Sequence, residues 1–114
     1  MSGFKAAAKM LVAGAALALA PSVHASPVRT GGAACAVAKA RVAARLHRPV
    51  SSIPFCEPLR AAASPRGYYI LALRGRCREE ICGSTLIGWY AVRKRTGGVF
   101  EWDVAHDRLG GLIG

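Results

Sequence analysis

Long apolar runs and acidic side chains are both scarce in this sequence. The longest apolar stretch, Met10 to Ala20, would form a helix of about 16 Å, too short for a hydrocarbon core of about 30 Å. We therefore expect no transmembrane segment. Six acids stand against sixteen lysines and arginines, which gives a formal net charge of +10.

Histidine is also scarce, and this limits the catalytic arrangements available. Beyond residue 25 the histidines are His47 and His106. His47 falls at the end of a predicted helix, where a cation suits the negative end of the helix dipole. His106 with Ser84 or Ser64 would be the route to a small hydrolase, but the adjacent His106 and Asp107 do not orient each other as members of a triad do. We expect no catalytic residue.

The common patterns for metals and phosphate-bearing cofactors are missing. Glu79 and Glu80 are paired carboxylates in a predicted turn, and without further acidic partners they indicate a solvated loop tip. The glycine pairs at 97–98 and 110–111 lack a following helix that would present amide groups to a phosphate. We therefore expect neither a metal nor a cofactor.

The amino-terminal residues have the pattern of a cleavable export signal. Two lysines precede the apolar run, a proline ends it, and residues 23–25 carry the short side chains that a signal peptidase reads. We expect residues 1–25 to be a signal peptide and residues 26–32 to be a flexible lead-in. Residues 33–114 would form a single small domain in the periplasm or outside the cell.

Disulfides should stabilise an exported domain of this size, because its core is small. The four cysteines allow three pairings. We favour Cys35–Cys56 and Cys77–Cys82, because the second pair flanks a four-residue loop between predicted strands. The alternative is a zinc site of four thiolates, which the cysteine spacing does not favour.

Periodicity predicts an α+β domain in which one N-terminal helix packs on a three-stranded antiparallel sheet, in two layers. The alanine-rich helix spans residues 33–48 and ends before Pro49. A proline-rich connecting loop follows over residues 50–67. The predicted strands span residues 68–74, 86–95 and 99–104.

The last hairpin permits two registers. A two-residue turn at Gly97-Gly98 would mix apolar and polar side chains on both faces. We favour a bulged turn with Gly97 in the left-handed conformation, which pairs Val92 with Phe100 and Tyr90 with Trp102. These side chains would then face the helix and leave Trp89 on the opposite face of the sheet.

Trp89 and Arg93 are the first candidate contact residues, since a tryptophan on an open sheet face is unusual. The alternative is that the loop over residues 50–65 folds across this face and buries Trp89. A second candidate surface is a basic ridge of Arg41, Arg45 and Arg48, which lie within about 60° of one another on a helical wheel.

Such basic surfaces suit a protein or an anionic envelope component, either glycan or lipid, and nucleic acid is not expected in this compartment. The alternative explanation of the basicity is compositional, because arginine and alanine are abundant throughout the chain. The sequence does not indicate an oligomeric state.

The order of elements resembles the small PepSY-type domain. The resemblance rests on the Tyr-Tyr-Ile-Leu-Ala-Leu strand, the Trp89-Tyr90-Ala91-Val92 strand, the Arg95-Thr96-Gly97 turn and the following Val-Phe-Glu strand. It implies a helix on a short sheet and an extracytoplasmic binding or inhibitory module that restrains peptidases, with no catalytic residues. The four cysteines, the proline-rich loop and the few acids depart from the family's usual pattern.

From these patterns we expect an exported, non-catalytic binding module, with inhibition of a hydrolase or peptidase as one role. The alternative is a cationic envelope-associated protein, and a small hydrolase centred on His106 is the third candidate.

Overall fold

The computed structural model describes residues 26–114, which form one helix and a five-stranded antiparallel sheet. Helix α1 (Gly31–Arg45) lies on one face of the sheet. The strands neighbour one another in chain order: β1 (Phe55–Pro58), β2 (Tyr68–Arg74), β3 (Leu86–Arg93), β4 (Val99–Asp103) and β5 (Arg108–Leu112). The predicted signal peptide, residues 1–25, lies outside the described residues.

The α+β class is confirmed, but the prediction of three strands is wrong. Strand β1 lies within the predicted proline-rich loop and pairs with β2. It ends at Pro58, and proline is tolerated at the edge of a sheet because no inner neighbour needs its missing N–H. Strand β5 contains Gly110 and Gly111, a residue type depleted in strands. A register shift accommodates them opposite β4.

Helix α1 begins and ends differently from its prediction. Thr30 caps its amino terminus, since the hydroxyl oxygen of Thr30 accepts a hydrogen bond from the Ala33 amide at 3.0 Å. The helix ends at Arg45, and His47 has a left-handed φ of 55°. The His47 and Arg48 amides then donate to carbonyl groups of the last helical turn. This is a Schellman ending with histidine where glycine is usual.

Residues 26–30 run beside the turn between β3 and β4. The Ser26 amide donates to the Thr96 carbonyl at 3.3 Å, and the Val28 amide donates to the Lys94 carbonyl at 2.7 Å. The Val28 side chain is 5% exposed and joins the core. Part of the segment expected to be a flexible lead-in is therefore anchored to the domain.

The core lies between α1 and the inner face of the sheet. Small residues on the helix allow it to approach the strands closely: Ala34, Ala38 and Ala43 are buried. The sheet contributes larger side chains, which are Leu71, Leu73, Tyr90, Val92 and Val99. Burial, and secondly the charge of Glu101, raise the pKa of the Tyr90 phenol above its ordinary value.

The hairpin between β3 and β4 has neither predicted register. Gly97 has the expected left-handed φ of 73°, but four residues, 94–97, form the loop instead of three. Tyr90 therefore pairs with Glu101, and Val92 pairs with Val99. A shift of one residue moves every side chain of a strand to the other face. The prediction that Phe100 and Trp102 face the helix is therefore wrong.

Two disulfides join the described residues, Cys35–Cys56 and Cys77–Cys82, with Cα–Cα distances of 5.9 and 5.8 Å. These are the pairings that the sequence favours. The first links α1 to the edge strand β1, and the second closes the loop between β2 and β3. Paired cysteines are typical of a compartment outside the cytoplasm. Within residues 26–114, no helix has the length and apolarity needed to cross a membrane.

Candidate functional site

The sheet face opposite α1 carries four aromatic side chains and one arginine, which contacts two of them. We call this surface the aromatic face, and its members are Tyr68, Trp89, Arg93, Phe100 and Trp102. The strand alternation places them here, because Leu71, Tyr90, Val92 and Val99 point to the helix. No second helix or sheet covers this face among residues 26–114.

The centre of the aromatic face is apolar and buried. Ile70, Ala72 and Ala91 point to this side of the sheet, yet each is at most 1% exposed. Since no further layer lies above them, the larger neighbouring side chains must close over them. Trp89 is directly beside Ala72 in the register and is itself half-buried. The large rings therefore form the outer surface of a small second core.

Arg93 is held firmly within this cluster. It is paired with Tyr68 in the register, and its Nε and Nη2 atoms donate to the Tyr68 hydroxyl at 3.1 and 2.9 Å. Its guanidinium carbon lies 5.5 Å from the Tyr68 ring centroid and 5.1 Å from that of Phe100. The two rings meet edge to face, with centroids 6.3 Å apart. The position of the positive charge is thus fixed before any ligand arrives.

No carboxylate pairs with Arg93 among the described residues, whereas the other arginine on this face has a partner. Arg74 donates from Nε to a Glu57 carboxylate oxygen at 2.6 Å. Both side chains are at the solvent boundary, so this pair contributes little to stability. Arg93 is therefore the cation of the aromatic face that is available to an incoming acid.

The loop expected as a cover for Trp89 does not form a layer over it. Residues 50–65 begin with a short helical turn, Val50–Ser52, that packs against α1, and continue into β1, which extends the sheet at its edge. A further single turn, Ala61–Ala63, is exposed. Trp89 is half-buried among its neighbours on the face and remains accessible from outside.

The predicted basic ridge is divided by the true end of the helix. Arg41 and Arg45 are exposed on α1. Arg48 lies beyond the Schellman turn, so the helical wheel does not apply to it, and it lines a groove with Arg76 and Arg78. The structure therefore does not bring Arg41, Arg45 and Arg48 onto one helical surface.

His106 pairs with a carboxylate that sequence spacing did not suggest. Its Nδ1 atom lies 2.9 Å from Asp103 Oδ2, and its amide donates to Asp103 Oδ1 at 3.1 Å. These hydrogen bonds lower the pKa of the Asp103 carboxyl. The Ser84 hydroxyl accepts from the Leu86 amide, and neither Ser84 nor Ser64 hydrogen-bonds to His106 in the described chain. The group caps the β4–β5 turn.

Other potential ligands do not converge. Glu79 and Glu80 are exposed on the disulfide-closed loop. Over residues 26–114, no cluster of three or more histidine, cysteine or acidic side chains has the geometry to hold a metal ion. The site that sequence reasoning missed is the aromatic pair on β4, Phe100 and Trp102. Their alternation with Val99 was visible, but the loop length that decides their face was not.

A scan against protein-family models and searches of curated proteins and of solved structures found no match to this chain.

Proposed function

We propose that this protein is an exported, non-catalytic binding module that docks a partner protein on its aromatic face. The observation that carries the proposal is a face that presents Trp89, Phe100 and Trp102 together with an arginine held between Tyr68 and Phe100, without a covering layer in the described chain. A few residues supply most of the binding energy at protein interfaces, and tryptophan, tyrosine and arginine are enriched among them. They lose little conformational freedom on binding when they are already packed.

The charge of Arg93 defines the chemistry of the partner. The Nε and Nη2 atoms of Arg93 already donate to the Tyr68 hydroxyl, and the remaining N–H groups on the Nη1/Nη2 edge offer a planar fork that fits a carboxylate. The chain itself carries an excess of arginine over acids, so it attracts acidic surfaces at long range. We infer a partner that presents an acidic side chain within an apolar patch.

The resemblance to PepSY-type domains supports a peptidase or another hydrolase as the partner, with inhibition as the consequence of docking. The two disulfides support action outside the cytoplasm. The proposal assigns no catalytic residue to this chain.

The test is to capture a binder from envelope extract on the oxidised protein, purify it, and measure its Kd by calorimetry. We expect Trp89→Ala to weaken binding by about thirtyfold, the effect of a typical interface hot spot. Arg93→Lys, which keeps the charge but removes the fork, should weaken binding by about tenfold, the loss expected of one charge-assisted hydrogen bond. The matched control is Leu46→Ala, because Leu46 is 41% exposed and lies at the end of the helix, away from the aromatic face.

Thermal unfolding of each variant separates docking from packing. An unchanged Kd for both Trp89→Ala and Arg93→Lys, with folded protein confirmed by circular dichroism, would show that the aromatic face is not the interface. If Leu46→Ala weakens binding as much as Trp89→Ala does, the contact surface lies elsewhere.

A second candidate function, attachment to an anionic envelope surface, is favoured by the exposed Arg41 and Arg45 on α1. Binding to anionic vesicles should then fall as salt rises, because screening weakens contacts between exposed charges. The double variant Arg41→Gln/Arg45→Gln should show the same loss at low salt. Equal retention of variant and wild-type protein would exclude this surface.

A further inference from the structure

A groove lies at the end of the sheet where β2 ends and β3 begins, away from the aromatic face residues Tyr68 and Arg93. It has a volume of about 770 Å³ and is open to solvent. Arg48 lines it from the turn after α1, and Arg76 and Arg78 line it from the β2–β3 loop. The hydroxyl residues of its wall include Ser51, Ser84 and Thr85. We call this feature the arginine groove.

The three guanidinium groups of the arginine groove have no acidic partner in the described part of the chain. Arg48, Arg76 and Arg78 form no ion pair within 4.0 Å. Glu79 lines a smaller adjoining groove with Arg76 and Arg78, and Glu80 follows it on the same loop, so three positive charges stand against two negative charges locally. Like charges from two separate segments repel each other, and an anion bound between them would relieve that repulsion.

The hydroxyl groups add donors to this positive field. The Ser84 oxygen accepts a hydrogen bond from the Leu86 amide at 3.1 Å, which leaves its O–H free to donate to a ligand. Ser51 and Thr85 side chains make no hydrogen bond within residues 26–114. The groove therefore combines charged forks with neutral donors, the mixture that surrounds phosphate oxygens in proteins.

The loop that carries two of the arginines is closed at two levels. The Gly75 amide donates to the Thr85 carbonyl at 2.9 Å at the base of the loop. Above it the Cys77–Cys82 disulfide joins the two arms, and Arg76 and Arg78 flank Cys77 directly. A cross-linked loop has less freedom to lose when it binds, which favours recognition of a small ligand.

We propose that the arginine groove binds a phosphate-type oxyanion, through the guanidinium groups of Arg48, Arg76 and Arg78 with help from the Ser84 hydroxyl. Three guanidinium groups offer more donors and more positive charge than a single carboxylate can use. A phosphate group carries a charge of about −1.5 to −2 and three acceptor oxygens, which matches them better. The volume of the groove suits a small molecule or a headgroup that carries such a phosphate. The site is independent of the aromatic face and of the proposed protein partner.

The test titrates the oxidised protein with inorganic phosphate and follows backbone amide shifts by NMR. Shifts should concentrate at Arg76, Ser84 and Thr85. The double variant Arg76→Gln/Arg78→Gln should weaken phosphate binding by at least about tenfold, the loss expected of one charge-assisted hydrogen bond. The matched control is Arg60→Gln/Arg66→Gln, which removes the same charge from two exposed residues in the β1–β2 connection, at the opposite end of the sheet.

The outcomes distinguish specific binding in the arginine groove from non-specific attraction of anions to a basic protein. The proposal would be overturned if the two double variants weakened phosphate binding equally. It would also be overturned if the protein bound acetate as tightly as phosphate at the same ionic strength. Vesicles containing phosphatidylglycerol, compared with phosphatidylcholine alone, identify the source of the group. Loss of vesicle binding in Arg76→Gln/Arg78→Gln but not in the control, without phosphate binding, assigns a lipid headgroup. If the protein binds inorganic phosphate, and this binding is lost in Arg76→Gln/Arg78→Gln but not in the control, the ligand is a free phosphate. If the protein binds neither phosphate nor vesicles, the site is refuted.

Discussion

Gly88 and Tyr90 lie two residues apart on β3, and the packing between them yields a quantitative prediction. A Cβ atom added at Gly88 would lie 2.8 Å from the Tyr90 hydroxyl oxygen and 3.0 Å from the ring carbon that bears it. Tyr90 is 9% exposed and belongs to the core, so its ring cannot move freely. Overpacking of this kind costs about 1–3 kcal/mol.

The lower entropy of the unfolded chain with alanine opposes this cost. The balance of the two effects decides the sign of the change in the free energy of unfolding. Gly88 does not have a left-handed φ, so alanine fits its backbone and should return about 0.4–1 kcal/mol by restricting the unfolded chain. We therefore expect Gly88→Ala to lower the free energy of unfolding by about 0.5–2 kcal/mol. In a Tyr90→Leu background the ring is absent, and Gly88→Ala should instead stabilise the protein slightly.

The assay is urea unfolding of the oxidised protein, followed by far-ultraviolet circular dichroism and extrapolated to water. The two Gly88→Ala measurements form a double-mutant cycle with Tyr90→Leu. Gly111→Ala is the control, because an added Cβ at Gly111 meets no atom within 4 Å. An equal cost of Gly88→Ala in both backgrounds would refute the steric argument, and so would a cost at Gly111 as large as that at Gly88.

Three further perturbations have expected signs. His47→Gly should stabilise the protein by up to about 1 kcal/mol in urea unfolding, because glycine adopts the left-handed conformation without the strain of a side chain. Replacing the Cys35–Cys56 pair by serines should cost about 3 kcal/mol and replacing Cys77–Cys82 about 2 kcal/mol, since the first closes the longer loop; the reverse order would contradict the loop-entropy argument. The lowered pKa of Asp103 stabilises the fold above the ordinary carboxyl pKa, and this contribution is lost as the pH falls through the folded value. The Tm of Asp103→Asn should therefore fall less than that of the wild-type protein as the pH is lowered. If the two proteins show the same dependence of Tm on pH, the His106 contact has no effect.

The helix and the two long strands could be predicted because their side chains repeat with clear periods. Tyr90 and Trp89 lie on opposite faces as alternation requires, and the disulfides are the pairing that the sequence favoured among three. The edge strands could not be predicted in the same way. Strand β1 is short and contains proline, and β5 contains two glycines, so both depend on pairing with a neighbour and not on local propensity.

The sequence predicted Trp89 and Arg93 on this face but not Phe100 and Trp102. The reason is a single loop residue. Lys94 joins the loop because its amide donates to the Gly67 carbonyl and its carbonyl accepts from the Val28 amide, contacts that come from distant parts of the chain. These tertiary contacts set a four-residue loop and so place Phe100 and Trp102 beside Trp89. Turn chemistry around Gly97 predicted its left-handed φ correctly but could not count the residues before it.

The register shift at Gly110 and Gly111 has a consequence for how copies of this protein behave at high concentration. Strand β5 is the last strand of the sheet, and its backbone is open on one side within the described chain. The extra residue opposite Glu101 bends that border, so a second flat strand cannot hydrogen-bond along its whole length. The irregularity that hides β5 from sequence patterns is thus of a kind that disfavours edge-to-edge pairing between copies of the molecule along this strand.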